Sequence, residues 1–416
     1  MAGTSLDMTV PRPGSLSQVY GVFGTVDANA RTLDDFAAEA VLKQIPVDAL
    51  IALEGGGPTL RQEALDEIGR LDPRPFAGAA GFDDWWTGAL AVLNAPFALE
   101  EPRRLVTDKA VMYSRLDNLG IPVPAFMTAS LSIPFLERAT AVLGPRPVLK
   151  PTLGAGSRGV FRYRADLSVH ENLGHYRAVL EHEKIDRGIK TLAVEYLDAV
   201  EVSVDGIVAD GAVVSSVVHE KVTAKQQHPF VDRVMVTPPV NPYISDNLSQ
   251  LIATVDRLPS TLGLSQGVLH AELRLREGIW YVLDVGVRPG MGLVAHAMHA
   301  LTGIDPRLVH LRACLGLDVK PALSGTVSPR FLAACIACAY VDDAHRQQVT
   351  MEQYRSVGED LRHHSAVIGW HLNVSEIDDA LYRPDAGMSI GVGAADSTAA
   401  IQVLRDLIAR HGFTTE

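Results

Sequence analysis

The chain has 416 residues, of which 47% are hydrophobic and 21% are charged, as in ordinary globular proteins and unlike disordered ones. Its formal net charge of −12 argues against a general nucleic-acid or membrane-surface binder, because such proteins carry an excess of Lys and Arg. This length predicts roughly two to four domains of about 100–200 residues each.

Cysteine usage and the apolar stretches indicate the compartment. The three cysteines, Cys314, Cys335 and Cys338, are too few for a disulfide framework and fit a reducing cytoplasm. The last two have the spacing of a redox pair, but they lie in the apolar run that begins at Phe331, which favours buried packing cysteines. Residues 1–17 lack the apolar core of a signal peptide, and no stretch reaches the ~20 apolar residues of a membrane helix, so we expect a cytoplasmic protein.

Residues 1–105 have the pattern of an α/β domain. Strands are predicted at Val19–Phe23 and Asp48–Leu53, with a helix between them at Leu33–Gln44. The second strand runs into the glycine cluster Gly55–Gly57, and α/β sheets place ligand loops at such junctions. A plain turn is the favoured interpretation, because a short glycine cluster alone is a weak cofactor signal.

A helix and a series of strands come next. The helix is predicted over Leu105–Leu119, with Thr107 or Asp108 as its N-cap. Gly120 is the expected stop, and the two prolines that follow it force an extended backbone. The remaining predicted elements are strands at Val148–Lys150, Val160–Tyr163, Thr191–Tyr196, Val200–Val208, Gly211–Val218, Val268–Leu275, Trp280–Val285 and Met388–Val392, and a final helix at Ser397–His411.

A glycine-rich segment lies between two of these strands. It contains G-x-G-x-x-G, which in dinucleotide-binding proteins is followed by a helix, whereas here the β-type sequence from Val160 follows. The segment is therefore predicted to be a strand–loop–strand flap whose backbone N–H groups close over phosphates, with Lys150 reaching the same phosphates. The loop residues are Gly154, Gly156, Ser157 and Gly159. A simple hairpin loop is the alternative.

Two carboxylates form a second candidate site. Glu272 and Asp284 flank a turn at Gly278, and two antiparallel strands joined there would bring them side by side. Neighbouring carboxylates repel each other unless a cation lies between them, and Mg²⁺ bridged to triphosphate oxygens is the usual solution. Arg288 adds a planar cation beside that metal. A surface salt-bridge cluster is the alternative, which the apolar run around Asp284 disfavours.

A third segment comprises Glu195, Leu197 and Glu201. A strand that leads into a polar bend can offer backbone groups to an adenine edge, and a carboxylate four residues later can accept hydrogen bonds from ribose hydroxyls. Acid-flanked strands are common, so this segment means little alone. Together with the other two it completes a nucleotide site.

These segments resemble the ATP-grasp superfamily over roughly Val106–Leu317. The matching residues are the Asp108-Lys109 pair that opens a helix, Lys150 and the glycine loop, the adenine hinge Glu195–Leu197, the ribose-binding Glu201, Lys221 near the transferred phosphate, the metal carboxylates Glu272 and Asp284, and Arg288. The whole chain is most similar to bacterial L-amino acid ligases and carnosine synthase-like enzymes, whose Glu-Tyr-Ser-Val-Asp-Gly stretch is echoed by Glu201–Gly206.

The resemblance implies an α/β (α+β) fold of the ATP-grasp type in three parts. These are an N-terminal α/β domain at 1–105, an ATP-grasp domain at 106–320 with a flap at about 143–198, and a C-terminal lobe at 321–416. Substrate specificity is expected to come from the first domain and from the loop Gln226–Arg233.

The resemblance also implies an ATP-dependent ligase. A carboxylic acid, such as an amino acid, would be activated as an acyl phosphate and coupled to an amine, with release of ADP and phosphate. Lys109, Lys150 and the glycine loop would hold ATP, and the carboxylate pair would bind Mg²⁺ or Mn²⁺. Arg288 and Lys221 would act on the reacting groups as catalytic residues.

Two residues depart from the family pattern. The second metal carboxylate, usually Glu, is Asp284, and the Asn usually found two residues later is Gly286. The glycine removes one metal ligand, so one or two metal ions are alternatives here.

Several alternatives stay open. The acceptor could be a thiol on a carrier protein instead of a small-molecule amine, the chain could bind nucleotide without catalysis, and a homodimer is compatible with the sequence. A protein kinase would need His-Arg-Asp and Asp-Phe-Gly, and neither tripeptide occurs. A nicotinamide-dependent oxidoreductase would need a helix directly after Gly159.

Overall fold

A computed structural model describes most of residues 99–413 and four short strands before them. Between 99 and 413, the residues outside the description are 155–156, 184, 223–233, 291–292, 325–327, 340–350 and 373–387. Four features predicted from the sequence therefore lie outside the described residues: the helix Leu33–Gln44, the glycine cluster Gly55–Gly57, Gly156 and the loop Gln226–Arg233. Among the described residues, no helix has both the length and the apolar character needed to cross a bilayer.

The strands, numbered in chain order, are β1 Leu6–Met8, β2 Val19–Phe23, β3 Ile51–Leu53, β4 Phe76–Gly81, β5 Phe126–Ala129, β6 Val148–Pro151, β7 Phe161–Arg162, β8 Thr191–Val194, β9 Val200–Ala209, β10 Ala212–Lys221, β11 Val234–Thr237, β12 Gly267–Arg276, β13 Ile279–Gly286, β14 Ala333–Ala339, β15 Val367–Leu372 and β16 Met388–Ala394. The helices of the described residues are α1 Glu100–Thr107, α2 Lys109–Asn118, α3 Ile133–Leu143, α4 Val169–His182, α5 Pro242–Asp246, α6 Leu248–Val255, α7 Leu258–Leu262, α8 Val294–Thr302, α9 Pro306–Cys314, α10 Lys320–Ser324, α11 Met351–Arg362 and α12 Ser397–Arg410. The mixture of helices and strands confirms the predicted fold class.

The N-terminal strands pair in two small sheets. β2 and β4 are parallel, and β1 and β3 are antiparallel. The predicted strand Val19–Phe23 is confirmed, and the second predicted strand is present as Ile51–Leu53.

The residues predicted as the flap, about 143–198, belong to a sheet of their own that begins earlier in the chain, at Phe126. Four antiparallel strands lie in the order β5-β8-β6-β7, and helices α3 and α4 pack on them. Phe135, Leu149 and Tyr176 are among the buried residues of this separate small core. The predicted strand Val160–Tyr163 is shorter in the structure, because only Phe161 and Arg162 pair with β6.

The second sheet has eight strands in the order β13-β12-β9-β10-β11-β14-β16-β15, and all its pairings are antiparallel. β11 pairs with β14, with Val236 opposite Cys335, so the last part of the chain adds three strands to the sheet of the central part. The largest hydrophobic core packs on β9, β12 and β13 and contains Val204, Leu269 and Trp280.

The prediction of a single helix over Leu105–Leu119 is wrong in one respect, because the structure has two helices there, α1 and α2. Asp108 interrupts the run with extended φ and ψ angles of −91° and 108°. Its carboxylate accepts hydrogen bonds from the backbone N–H groups of Ala110 and Val111, which makes it the N-cap of the second helix. The prediction of an N-cap at this residue is thereby confirmed, while the preceding helix begins earlier, at Glu100.

Burial predicts low thiol reactivity. Cys314 and Cys335 are completely buried, and burial raises the pKa of Cys335 to about 12. Because the thiolate is the reactive form, we expect a thiol reagent at pH 8 to label neither Cys314 nor Cys335 of the native chain. All three cysteines should react in guanidinium chloride. Rapid labelling of two or more thiols in the native protein would contradict this packing.

Candidate active site

One face of the large sheet is polar where β10, β9, β12 and β13 lie side by side. Val202, Val204 and Ala271, which alternate with the polar residues of β9 and β12, belong to the main hydrophobic core on the opposite face. Because residues paired across antiparallel strands share a face, the register collects the polar side chains into one patch. We call this patch the polar face, and its members are His219, Lys221, Glu201, Ser203, Asp205, His270, Glu272, Arg274 and Asp284.

Glu272 and Asp284 are direct partners in the register of β12 and β13, the neighbouring arrangement that the sequence predicts. Leu273 pairs with Val282, so the register skips Leu283. This is a β-bulge, in which one residue of β13 has no partner in β12. A regular ladder would pair Glu272 with Leu283 and turn Asp284 to the apolar face. The bulge therefore places the second carboxylate in the polar face.

The bulged residue also contacts Lys150. Lys150 Nζ donates to the carbonyl of Leu283 (3.1 Å) and to the hydroxyl of Tyr113 (3.3 Å), and that hydroxyl donates to the same carbonyl (2.9 Å). Burial lowers the pKa of Lys150, and nearby carboxylates, Asp284 first among them, oppose that effect. Lys150 therefore joins the flap sheet directly to the strand that carries Asp284.

Lys109 makes the second connection between the flap and the carboxylates. It is the first residue of α2, and its backbone N–H donates to the carbonyl of Thr152 at 2.8 Å. Its Nζ donates to the carbonyl of Gly154 and lies 3.8 Å from Asp284 Oδ2. One ammonium group thus contacts both the glycine loop and Asp284, so the two halves of the predicted site face each other.

The backbone of the loop explains its glycines. Gly154 and Gly159 have positive φ angles of 150° and 70°, and Ser157 adopts 56°. A Cβ atom on Gly159 would lie 2.5 Å from Ile185 Cδ1, so a larger residue does not fit without displacement. Strand β7 follows the loop, so the nicotinamide alternative lacks the helix that it requires.

Lys221 lies between two carboxylates of the polar face. Its Nζ is 2.7 Å from Glu201 Oε1 and 3.0 Å from Glu272 Oε1, and its side chain is only 3% exposed. Burial would raise the pKa of Glu272, but Lys221 and His270 outweigh that effect and hold the pKa well below its ordinary value. Both carboxylates therefore stay charged around one buried ammonium.

The predicted hinge is held by an arginine that sequence reasoning did not select. Arg274 Nε donates to Glu201 Oε2 at 2.7 Å, and its Nη1 donates to the carbonyl of Leu197 at 2.5 Å. Its guanidinium also lies 5.5 Å from the ring centroid of Tyr196, a cation–π distance. Arg274 therefore ties the bend to the carboxylate predicted to bind ribose.

Glu195, the first hinge residue, is also anchored. Its backbone N–H donates to the carbonyl of Ala125 at 2.8 Å, and its carboxylate pairs with Arg276 at 2.5 Å. Both contacts fix the chain where β8 ends.

Arg288 is buried just after β13. Its Nη1 donates to the carbonyl of Pro289 at 3.0 Å. A Cβ atom on Gly286 would lie 3.3 Å from Arg288 Cγ and 3.5 Å from its Cζ, so the arginine lies over this glycine. The residue that departs from the family pattern thus makes room for the Arg288 side chain.

Alternation in the sequence marks three of the polar-face residues that were missed, which are Ser203, Asp205 and Arg274, although it does not give their partners. In both β9 and β12, polar residues recur at every second position between aliphatic ones, as in Glu201–Asp205 and His270–Arg274. Polar side chains on a buried strand are costly unless they are paired, so a stripe of this kind marks a candidate site.

The carboxylate pair fits Mg²⁺. The side chains of Glu272 and Asp284 are 31% and 34% exposed, and they offer the hard oxygen ligands that this ion prefers. Among the described residues, no group of three or more His, Cys, Asp or Glu side chains could enclose a metal. Magnesium sites of one or two carboxylates, completed by water and substrate phosphates, have this composition.

Comparison with known protein families identifies the central part of the chain. Residues 145–295 match the family model described as the ATP-grasp domain. The chain contains an ATP-grasp domain. The matched segment includes Lys150, the glycine loop, both carboxylates and Arg288, whereas Lys109 precedes it. Among curated proteins, none is similar enough in sequence to match.

Solved structures share the ATP-grasp fold over nearly the whole chain. The L-amino acid ligase from Bacillus licheniformis is 18% identical with a TM-score of 0.68, covering 94% of this chain and 97% of its own. The carboxyaminoimidazole ribonucleotide synthase from Aspergillus clavatus, complexed with ATP, is 16% identical with a TM-score of 0.63 (95% and 99% covered). The biotin carboxylase domain of 2-oxoglutarate carboxylase from Hydrogenobacter thermophilus, in complex with MgADP and bicarbonate, is 12% identical with a TM-score of 0.62 (95% and 85% covered).

Removing Lys150 or Glu272 tests the site directly. We expect Lys150→Met and Glu272→Gln each to lower ATP-dependent ADP release by roughly 100-fold or more, because each variant removes one charge that is predicted to act on the phosphates or their metal. Circular dichroism should show an unchanged fold. Lys320→Met, at an exposed lysine paired with Asp210, is the matched control and should keep the wild-type rate. Wild-type rates in either site variant would contradict the assignment.

Arg274 provides a test of the hinge. Lysine keeps the charge but loses the planar fork that reaches Leu197 and Glu201 together, so we expect Arg274→Lys to weaken ATP binding about tenfold, or ~1.4 kcal/mol. Isothermal titration calorimetry measures the dissociation constant. Arg164→Lys, at an exposed arginine paired with Asp166, should leave it unchanged. Equal ATP affinity in Arg274→Lys and wild type would show that Arg274 has no part in the hinge.

Proposed function

We propose that this protein is an ATP-dependent ligase that activates a carboxylic acid as an acyl phosphate and transfers the acyl group to an amine. The observation that carries the proposal is Lys109, whose ammonium group contacts both the glycine loop and Asp284. A triphosphate held between the flap and the polar face would meet the loop on one side and the carboxylates on the other.

In this proposal, the positively charged side chains of the chain contribute most of the catalysis. Phosphoryl transfer needs little covalent chemistry from the protein, so charge and positioning dominate. Lys109 and Lys150 bind phosphate oxygens together with the loop backbone of Gly154, Gly156, Ser157 and Gly159. When bound at Glu272 and Asp284, Mg²⁺ or Mn²⁺ supplies neutralising charge for the triphosphate.

In the same proposal, the hinge at Glu195–Leu197 and the nearby Glu201 recognise the nucleoside. The backbone of Glu195 and Leu197 faces the adenine edge, and Glu201 accepts from the ribose. Arg274 and Lys221 already hold both Glu201 oxygens, so this carboxylate is oriented before a nucleotide arrives. An oriented group loses less conformational entropy on binding.

The proposed reaction has two steps. A carboxylate oxygen of the substrate attacks the γ-phosphorus, the bond from that phosphorus to the bridging oxygen breaks, and ADP leaves with the electron pair. The amine nitrogen then attacks the acyl carbon, a C–N bond forms, the C–O bond to phosphate breaks, and the amine loses a proton. Arg288 stabilises negative charge on the acyl phosphate, and Lys221 orients Glu272 and the phosphate that is transferred.

We propose an amino acid as the carboxylic acid, by analogy with one of the similar structures. The similarity to the L-amino acid ligase from Bacillus licheniformis extends over 94% of this chain, including the regions outside the ATP-grasp match. We also propose the division into 1–105, 106–320 and 321–416, with the last part joined to the second through β14. The carrier-protein alternative gains no support from the similar structures.

Hydroxylamine tests activation without knowledge of the amine. It attacks acyl phosphates to give hydroxamates, so we expect ATP, Mg²⁺, hydroxylamine and a panel of amino acids to yield ADP and at least one hydroxamate, detected by mass spectrometry. Pairs of amino acids without hydroxylamine should then give a dipeptide. The Glu272→Gln variant is the control and should give neither product. ATP binding without turnover across the panel would favour a non-catalytic protein, and AMP with pyrophosphate would contradict an acyl phosphate.

A further inference from the structure

Asp205 is a buried carboxylate in the polar face with no role in the ligase chemistry described above. Its side chain is 2% exposed, and it lies opposite His270 in the register of β9 and β12. A buried carboxylate is costly unless it is hydrogen-bonded, so its partners indicate what it is for. Those partners lead to two elements of the proposed active site.

The first path runs through His270 to the carboxylate pair. Asp205 Oδ2 is 3.0 Å from His270 Nδ1, and because an ionised carboxylate only accepts, Nδ1 carries the hydrogen. The other ring nitrogen, Nε2, lies 3.8 Å from Glu272 Oε1, an ion-pair distance. Asp205 therefore sets the orientation of the ring that faces Glu272.

The second path runs to the loop that carries Arg288. Asp205 Oδ1 accepts a hydrogen bond from the backbone N–H of Gly290 at 2.8 Å. A Cβ atom on Gly290 would lie 2.9 Å from both Asp205 Oδ1 and His270 Nδ1, so the loop is in close contact with this pair. Asp205 thus contacts both His270, which faces the predicted metal ligand Glu272, and the loop that carries Arg288.

We propose that Asp205 is a positioning residue that fixes Glu272 for the divalent metal through His270 and fixes the Arg288 loop through Gly290. This inference rests on the proposed function. Replacing a residue that orients a metal ligand without contacting the metal itself typically lowers metal affinity 10–100-fold. Asp205 and His270 belong to that class by their contacts.

The test measures Mn²⁺ binding in the presence of saturating ADP, from the electron paramagnetic resonance signal of free Mn²⁺. Asp205→Asn keeps one oxygen for Gly290, but its amide nitrogen cannot accept from His270 Nδ1. We expect the Mn²⁺ dissociation constant to rise about tenfold in Asp205→Asn and in His270→Gln. The double variant should be no weaker than His270→Gln alone, because both changes break the same path.

A matched control separates this role from a structural one. Asp210→Asn makes the same chemical change at an exposed aspartate paired with Lys320, and it should leave Mn²⁺ affinity unchanged. Circular dichroism should show the same fold in every variant, and if Asp205→Asn does not fold, His270→Gln still tests the path to Glu272.

Each remaining outcome decides one point. Wild-type protein that binds no Mn²⁺ with ADP would overturn the proposed function itself. Wild-type binding with an unchanged dissociation constant in Asp205→Asn or His270→Gln would overturn the positioning role alone. Additive losses in the double variant would show that Asp205 does not act through His270.

Discussion

The site depends on the register between β12 and β13. Twelve-residue spacing between Glu272 and Asp284 does not by itself put two carboxylates on one face, because a regular hairpin would pair Glu272 with Leu283. The extra residue at Leu283 corrects the register by one position and turns its carbonyl toward Lys150 and Tyr113. A single bulge thus aligns the carboxylates and anchors the flap lysine.

Charge alternation then stabilises the polar face. From the hinge inward, Arg274, Glu201, Lys221, Glu272, His270 and Asp205 follow one another in contact, at distances from 2.7 to 3.8 Å. Each acid of this series has a basic neighbour on both sides or a backbone donor, so the desolvation cost of each is offset by its neighbours. Removing one member would leave an uncompensated charge, which is why such a set acts as a unit.

Much of this was predictable from the sequence, because most of the signals were local. Strands β6 to β10, β12 and β13 have clear patterns, and the glycine loop and its lysine are adjacent in the chain. The short strands β5 and β11 were not predicted. The break at Asp108 was harder to foresee, since its capping side chain and the backbone bridge between Asp108 and Leu153 outweighed a continuous helical pattern. Arg274 and Asp205 were missed because their partners lie 65 to 77 residues away, on strands whose pairing the sequence does not state.

The pairing of β11 with β14 has a consequence for how the chain can be divided. β11 contacts β10 through Lys221 and Met235 on one side, and through Val236 and Cys335 it contacts the last part of the chain on the other. Ending the protein at residue 320 would leave β11 as an open sheet edge with unpaired backbone groups, which invites edge-to-edge aggregation. The part of the chain that carries the polar face is therefore not an autonomous module, and residue 320, the proposed end of the ATP-grasp domain, is not a boundary for expression.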